Sequence, residues 1–394
     1  MQGDPSAESL PRQWRRGAAS ATIPHMAPIR VCHLITELRP AGAERLVYEL
    51  AVRLDRRRFE PSVVALRGGE VADRLREAGV GLHVLDMGHK LDLPRLLSLP
   101  AILRRVRPDV LHTHLFHADL AGRLAAAAAG VPAVVHSVHV AEQRFRPWQF
   151  AFARLADPWC RRIVCVSQAV ADHHRRRSGL PANRYQVIYN GIDVDRFRPD
   201  RTARRRLREQ WGVGKDEPLI AFVGRLDPQK APEVLLDAME LLFARSSPCR
   251  AVLAGDGPLR AALERRLAGS PAAARLRLLG HWDDVPGLLN AADVLAMPSR
   301  WEGFGLAAAE AMAARLPVVA TAVAGLTEVV EPERTGLLVP CDDPAALAGA
   351  IARLAGQVDL RRAMGQAGRA RVEDLFRIED CVARHERLYE DLAR

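Results

Sequence analysis

Short, continuous apolar runs bounded by turn residues recur along the chain, and between them lie longer stretches in which apolar positions return every three or four residues. The first set is Arg30 to Ile35, Ser62 to Leu66, Gly81 to Leu85, Val110 to Thr113, Ala133 to Val138, Ile163 to Val166 and Gln186 to Tyr189. Runs without alternation predict strands covered on both faces, the condition of a parallel sheet between helices. Pro199 to Gly214 is polar and arginine-rich, which predicts a connector followed by a surface helix. The pattern then restarts at Leu219 to Val223, Arg250 to Ala254, Arg275 to Leu279, Val294 to Met297, Val318 to Ala320 and Gly336 to Val339. Two doubly wound, Rossmann-like α/β domains are expected, at 29–198 and 199–374, and an amphipathic helix at 375–394. In such sheets ligands bind outside the strands' carboxyl ends, so residues just after strands carry the most weight.

Residues 1–28 show neither period, and their Pro, Ser, Ala and Arg content predicts a disordered extension ahead of the first strand, with Met26 an alternative start. They lack the apolar core of a secretory signal, and no run approaches the ~20 apolar residues of a membrane span. The six cysteines have no zinc-ligand spacing, which fits a reduced, cytoplasmic setting. The net charge of +10 is nearly all arginine. It suits nucleic acid, anionic lipid or phosphorylated substrates, and base composition of the genome is an equally good account. With arginines spread along the chain and no nucleic-acid motif, nucleic acid is set aside. A dehydrogenase is disfavoured because no G-x-G-x-x-G follows the first strand.

The densest chemistry lies at Ser299 to Ala313, SRWEGFGLAAAEAMA. Glu302 sits in a loop, Gly303-Phe304-Gly305 can bend sharply, and Leu306 to Ala314 has high helix propensity. A helix start offers unpaired N–H groups and the positive end of a dipole, which together hold phosphate. Glu310 falls about 7.5 Å along that helix, so one acid precedes the anion-ready end and another follows it. A second helix start follows strand one at Pro40-Ala41-Gly42-Ala43-Glu44, which read alone is equally an ordinary turn. After the eighth strand, Arg225 and Lys230 can clamp a diphosphate, one as a fork of donors and one as a point charge. His112 and His114 end one strand, and His136 and His139 end the next. The His-x-His spacing invites a metal, but no carboxylate of clear metal spacing accompanies it and no metal is assigned. Asp193 and Asp195 form a D-x-D in a turn after a domain's last strand, where a junction role fits better than a metal.

Glu302 and Glu310 reproduce an E-x7-E pair, and Gly42-Ala43-Glu44, Asn190-Gly191-Ile192-Asp193, Arg225, Lys230 and Gly255-Asp256-Gly257-Pro258 follow in register. With these motifs the chain resembles, from about Ile29 to Arg394, the retaining glycosyltransferases of family 4, which have the GT-B fold of two Rossmann-like domains facing across a cleft. The resemblance implies metal-independent transfer of a sugar, with retained configuration, from a nucleoside diphosphate donor such as a UDP- or GDP-sugar. It implies donor contacts from Gly42, Phe304, Gly305 and Leu306, a diphosphate clamp from Arg225 and Lys230, sugar hydroxyls on Glu302, ribose on Glu310, and His139 near the sugar's C6 hydroxyl. The loop at His281 and Trp282 would receive the base, and the last helix would cross back onto the first domain. No cofactor is implied, the nucleotide-sugar being a substrate. Ala231 and Ala324 stand where the family usually has glycine.

The acceptor, a glycan, a lipid-linked intermediate or a small molecule, would sit mainly on the first domain, with cell-surface polysaccharide or glycolipid synthesis as the setting. Arg144 to Arg162 interleaves Phe145, Trp148, Phe150, Phe152 and Trp159 with arginines. Such a stretch either lies on an anionic membrane, placing the enzyme at the inner face of the plasma membrane, or packs its aromatic face on its own sheet. A nucleotide-sugar epimerase of the same two-domain plan is the alternative function.

Overall fold

A computed structural model describes residues 27–89, 92–141, 143 and 145–394. Most of the expected extension, and Arg144 of the aromatic stretch, lie outside the described residues. The first sheet contains β1 (Ile29–Glu37), β2 (Phe59–Arg67), β3 (Gly81–Val84), β4 (Val110–His114), β5 (Ala133–Val138), β6 (Arg162–Cys165) and β7 (Tyr185–Val187). The second contains β8 (Leu219–Val223), β9 (Arg250–Ala254), β10 (Leu276–Gly280), β11 (Val294–Met297), β12 (Val318–Thr321) and β13 (Gly336–Val339). Their orders are β3-β2-β1-β4-β5-β6-β7 and β10-β9-β8-β11-β12-β13, and every pairing within them is parallel. Strand order reverses between β1 and β4 and again between β8 and β11. Connections there leave in opposite directions, which opens a crevice at the carboxyl edge of each sheet.

The strands are apolar because helices cover both their faces: β4 and β11 are buried at every residue. The connector helix, Arg201–Trp211, is the surface helix expected, with one face turned inward. Leu207 and Trp211 are buried in the apolar core, and beside them Asp293 accepts from Arg208 (2.9 Å), Arg204 (2.7 Å) and the Leu219 N–H (2.9 Å). A half-buried carboxylate with three charged or backbone donors satisfies its lone pairs and locks the connector to β8.

The last helix, Ile378–Ala393, packs against β1 and β4 of the first domain. The crossing is fixed by backbone hydrogen bonds, Ile192 N–H to the Phe376 carbonyl (2.7 Å) and Ile378 N–H to the Ile192 carbonyl (3.0 Å). A Cβ on Gly191 would stand 2.5 Å from Ile378 Cα, so the close approach needs glycine. The aromatic stretch is broken, a helix at Pro147–Leu155 and a 3-10 turn at Asp157–Trp159, as Pro158 dictates. Phe150 is buried, edge-on to Phe145 and His174, whereas Trp148, Leu155 and Trp159 are exposed. Phe150 follows the expectation of aromatic packing on the protein itself.

Candidate functional site

The chain leaves β1 through a short turn and enters the helix Gly42–Arg53, whose preceding residue Ala41 supplies no side-chain cap. Across from it, β11 runs into the loop at 298–305 and the helix Leu306–Ala313, entered through Gly305 at φ 92° with no side-chain cap either. A Cβ placed on Gly42 would lie 3.2 Å from Leu306 Cδ1. Two uncapped helix starts, one from each domain, therefore meet at the crevice. Their first N–H groups have no partner inside their own helices.

Arg225 and Lys230 stand on the loop after β8. Arg225 donates to Gln229 (3.2 Å) and pairs with Asp227 (2.8 Å), while more than half of its side chain stays exposed. Lys230 pairs with Glu302, and Ser299 Oγ donates to the same carboxylate at 2.8 Å. Gln229 ties the two loops by donating to the Trp301 carbonyl at 3.0 Å. Ala231, where glycine is usual in the resembled family, has φ 47° and ψ 49°, the left-handed conformation glycine takes freely. The alanine carries the strain of that conformation.

Gly303 is held between the domains. A Cβ there would fall 1.8 Å from the His139 carbonyl oxygen, and one on Gly325 would fall 2.6 Å from the Gly303 carbonyl oxygen. Ser167 Oγ donates to that carbonyl at 2.7 Å. Close by, the Gln168 and Ala169 N–H groups, at a first-domain helix start, donate to the second domain's Glu328 (2.9 and 2.7 Å).

His139 follows β5 and its Nε2 meets His114 Nδ1 at 3.0 Å; His114 Nε2 in turn meets His33 Nδ1 at 3.1 Å. Burial lowers His139 and His33 to about 3, so both rings are neutral near pH 7. His33, His112 and His114 bring ring nitrogens within 4.8 Å of one another. His112 spends both nitrogens on Tyr389 (2.7 Å) and Ser137 (2.8 Å), and His114 spends both on His33 and His139. The group is organised as a hydrogen-bonded array. His33 was out of sight in the sequence because β1 and β4 become neighbours only in the sheet.

Two of the expected donor contacts are engaged within the protein. Phe304 does not face the crevice: its ring is 2% exposed and packs between Tyr189 and Phe376, centroids 6.1 and 5.1 Å away. An apolar ring at the junction of two domains gains more from that burial than from a polar cleft. Glu310 is not an open carboxylate, since it is buried and ion-paired with Arg45 of the first domain. Burying it demands a cation, and the Gly42–Arg53 helix supplies one. Asp193 is a junction residue: it accepts from the Asp195 and Arg196 N–H groups (3.1 and 2.9 Å) and pairs with Arg53 (2.6 Å). Trp282 packs on Trp211 with centroids 5.6 Å apart, and His281 beside it is exposed.

Glu44 was missed as a separate actor. It is buried in the first turn of its helix, one carboxylate oxygen has no partner, and burial raises it to about 7, with Arg225 near enough to pull it back. A cavity of about 320 Å³ opens beyond β1, β4 and β5, with Glu37, Arg67, Phe116, His136, His139 and Phe150 in its wall. His139 thus borders both the cavity and the loop at Gly303.

Residues 40–196 match Glycosyltransferase Family 4, and residues 203–371 match Glycosyl transferases group 1. The chain is 32% identical over 379 residues to the D-inositol 3-phosphate glycosyltransferase of Xylanimonas cellulosilytica, covering 87% of this chain and 89% of that protein. The chain belongs to the family 4 glycosyltransferases. This glycosyltransferase is also 26% identical over 381 residues to the UDP-Gal:alpha-D-GlcNAc-diphosphoundecaprenol alpha-1,3-galactosyltransferase of Escherichia coli, across 92% of this chain and 97% of that one. Its fold is GT-B. It is similar to Anabaena Alr3699/HepE in complex with UDP-glucose, with a TM-score of 0.84 and 23% identity over 92% of this chain and 100% of that one. It is also similar to WaaG, a glycosyltransferase involved in lipopolysaccharide biosynthesis, with a TM-score of 0.72 and 17% identity over 91% and 99%. These relatives are transferases, which leaves the epimerase alternative without support.

Proposed function

We propose that this glycosyltransferase moves a sugar from a UDP- or GDP-sugar to an acceptor seated in the first-domain cavity, with retained configuration and without a metal. The observation that carries this is the meeting of two uncapped helix starts, at Gly42 and Leu306, beside Arg225 and Lys230. Departure of the diphosphate gathers negative charge as the sugar becomes oxocarbenium-like. Fixed N–H groups and two cations receive that charge, about 3 kcal/mol for one well-aimed donor. Lys230 exchanges Glu302 for the diphosphate, which frees Glu302 to hold sugar hydroxyls. Glu310 takes the ribose as Arg45 gives way. His139 orients the sugar from the opposite wall, and the acceptor attacks the face the diphosphate leaves, losing its proton to the departing phosphate.

A uridine donor is supported by the UDP-Gal relative and by the UDP-glucose complex of HepE. Among the described residues no helix is long and apolar enough to cross a membrane. Leu93, Leu97, Trp148, Leu155 and Trp159 are exposed on the first domain, which supports a peripheral contact with anionic lipid and a lipid-linked acceptor of a glycan pathway. Pelleting with anionic vesicles at low salt tests the contact, and absence of binding removes it. Lys230→Ala and Glu310→Ala should each cut nucleoside diphosphate release at least tenfold while the protein stays folded. Turnover like the parent's in both refutes the assignment.

A further inference from the structure

We propose that the imidazole chain His33–His114–His139 fixes His139 as its Nδ1–H tautomer, so that the ring offers the donor sugar a hydrogen-bond donor and not an acceptor. The inference rests on the reading of His139 as a sugar contact; His33 and His114 act through it as positioning residues.

A neutral imidazole has one N–H and one lone pair. Three such rings joined in series by two hydrogen bonds have two proton arrangements. In one, His33 Nδ1–H donates to His114 Nε2 and His114 Nδ1–H donates to His139 Nε2, leaving His139 with Nδ1–H. In the other every donor runs the opposite way, from His139 Nε2–H to His114 Nδ1 and from His114 Nε2–H to His33 Nδ1, leaving His33 with Nε2–H. The contacts are the same in both, 3.0 Å between His114 and His139 and 3.1 Å between His33 and His114. The far end decides between them.

His33 Nε2 is buried and has no hydrogen-bond partner. The first arrangement leaves a lone pair there and the second strands an N–H. Orphaned buried N–H groups are rarer than under-used acceptors. His385, on the last helix, meets the same condition in the same region. Its Nδ1 lies 2.9 Å from the Cys381 carbonyl, which can only accept, so its unpartnered Nε2 is a lone pair as well. At the other end, His139 Nε2 is taken by His114, and Nδ1 is the atom left for a ligand. The array is sheathed by Tyr389, whose ring stands edge-on to His33 and His112 at centroid distances of 6.2 and 5.7 Å.

The test labels histidine with 15N in the full chain and reads each ring's tautomer from its nitrogen shifts at pH 8, in the parent, in His33→Asn and in His33→Asp. Sugar turnover and UDP binding are measured alongside. Asn keeps an N–H where Nδ1 stood, and the Asp carboxylate offers only acceptors. The expected result is Nδ1–H at His139 in the parent and in His33→Asn. In His33→Asp, His114 turns Nε2–H toward the carboxylate and accepts at Nδ1, so His139 becomes Nε2–H and kcat falls roughly tenfold with UDP affinity unchanged. Nε2–H at His139 in the parent, or no change of tautomer in a folded His33→Asp, overturns the proposal. If His33→Asp does not fold, the parent and His33→Asn spectra decide it. The tautomer is read without turnover, so a chain that transfers no sugar refutes the proposed function while the spectra still judge this inference.

Discussion

Gly303→Ala is the most direct probe of how the two domains share the reaction. The added Cβ would lie 1.8 Å from the His139 carbonyl oxygen, 2.8 Å from its carbon and 3.0 Å from Val140 Cα. All three are backbone atoms, so no side chain can swing aside. Restoring an ordinary contact of 3.4 Å requires the loops at 139 and 303 to part by about 1.6 Å. Gly303 cannot simply retreat, because its carbonyl is held by Ser167 and abutted by Gly325. Glu302 and His139, which the proposed function sets on the same sugar, then separate by a comparable distance. Misplacement of about 1 Å in a positioned site costs on the order of a hundredfold in rate. Over-packing itself costs about 1–3 kcal/mol of stability. Continuous measurement of UDP release should show kcat/KM down roughly a hundredfold with a modestly lower melting temperature. Gly349→Ala, in a helix with nothing within 4 Å of the new methyl, serves as the control and should be active and slightly stabilised. A Gly303→Ala enzyme within threefold of the parent would show that the contact does not set the geometry of transfer.

Glu44 gives a pH signature. Raised to about 7 by burial, it is neutral below that pH and charged above it, where it competes for Arg225; donor KM should rise above pH 7, and Glu44→Gln should flatten the profile. A limb that survives in Glu44→Gln assigns it elsewhere. The buried histidines give an acid limit to stability. His33 and His174 are lowered to about 3 and His136 and His385 to about 4, all chiefly by burial. The unfolded chain binds protons near pH 6.5 and the folded chain does not, so stability is complete above 6.5 and falls as pH drops through the window toward 4. At pH 5.5 each ring forfeits about 1.4 kcal/mol, roughly 6 kcal/mol for four, a large part of an ordinary folding free energy. Urea midpoints at pH 7.5 and 5.5 check this, and equal midpoints would contradict it.

The strands could be read from the chain because a sheet buried on both faces needs apolar residues without a break, and turn residues mark its edges; β5, β8, β9, β11 and β13 begin and end where their sequence patterns do. The helix starts were legible for a related reason, since Gly42 and Gly305 are needed where backbone must come close. Side-chain engagements across the domains were not. Arg45 and Glu310 are far apart in sequence and pair only when the crevice forms. Phe304 follows an acid in a glycine-rich loop, a local setting that suggests exposure, and nothing local announces Tyr189 and Phe376. Glu328 gave no signal either, because the N–H groups it caps belong to the other sheet's helix. Periodicity reports which face of an element is covered, and it is silent on what covers it.

The return of the final helix to β1 and β4 has a consequence for synthesis. The first sheet is made early, yet the helix bearing His385 and Tyr389 is made only after the second sheet. Until then the inner rings of His33 and His112 lack the wall that the finished protein sets against them. The first sheet therefore waits on a helix made after the whole second sheet before its inner face is covered.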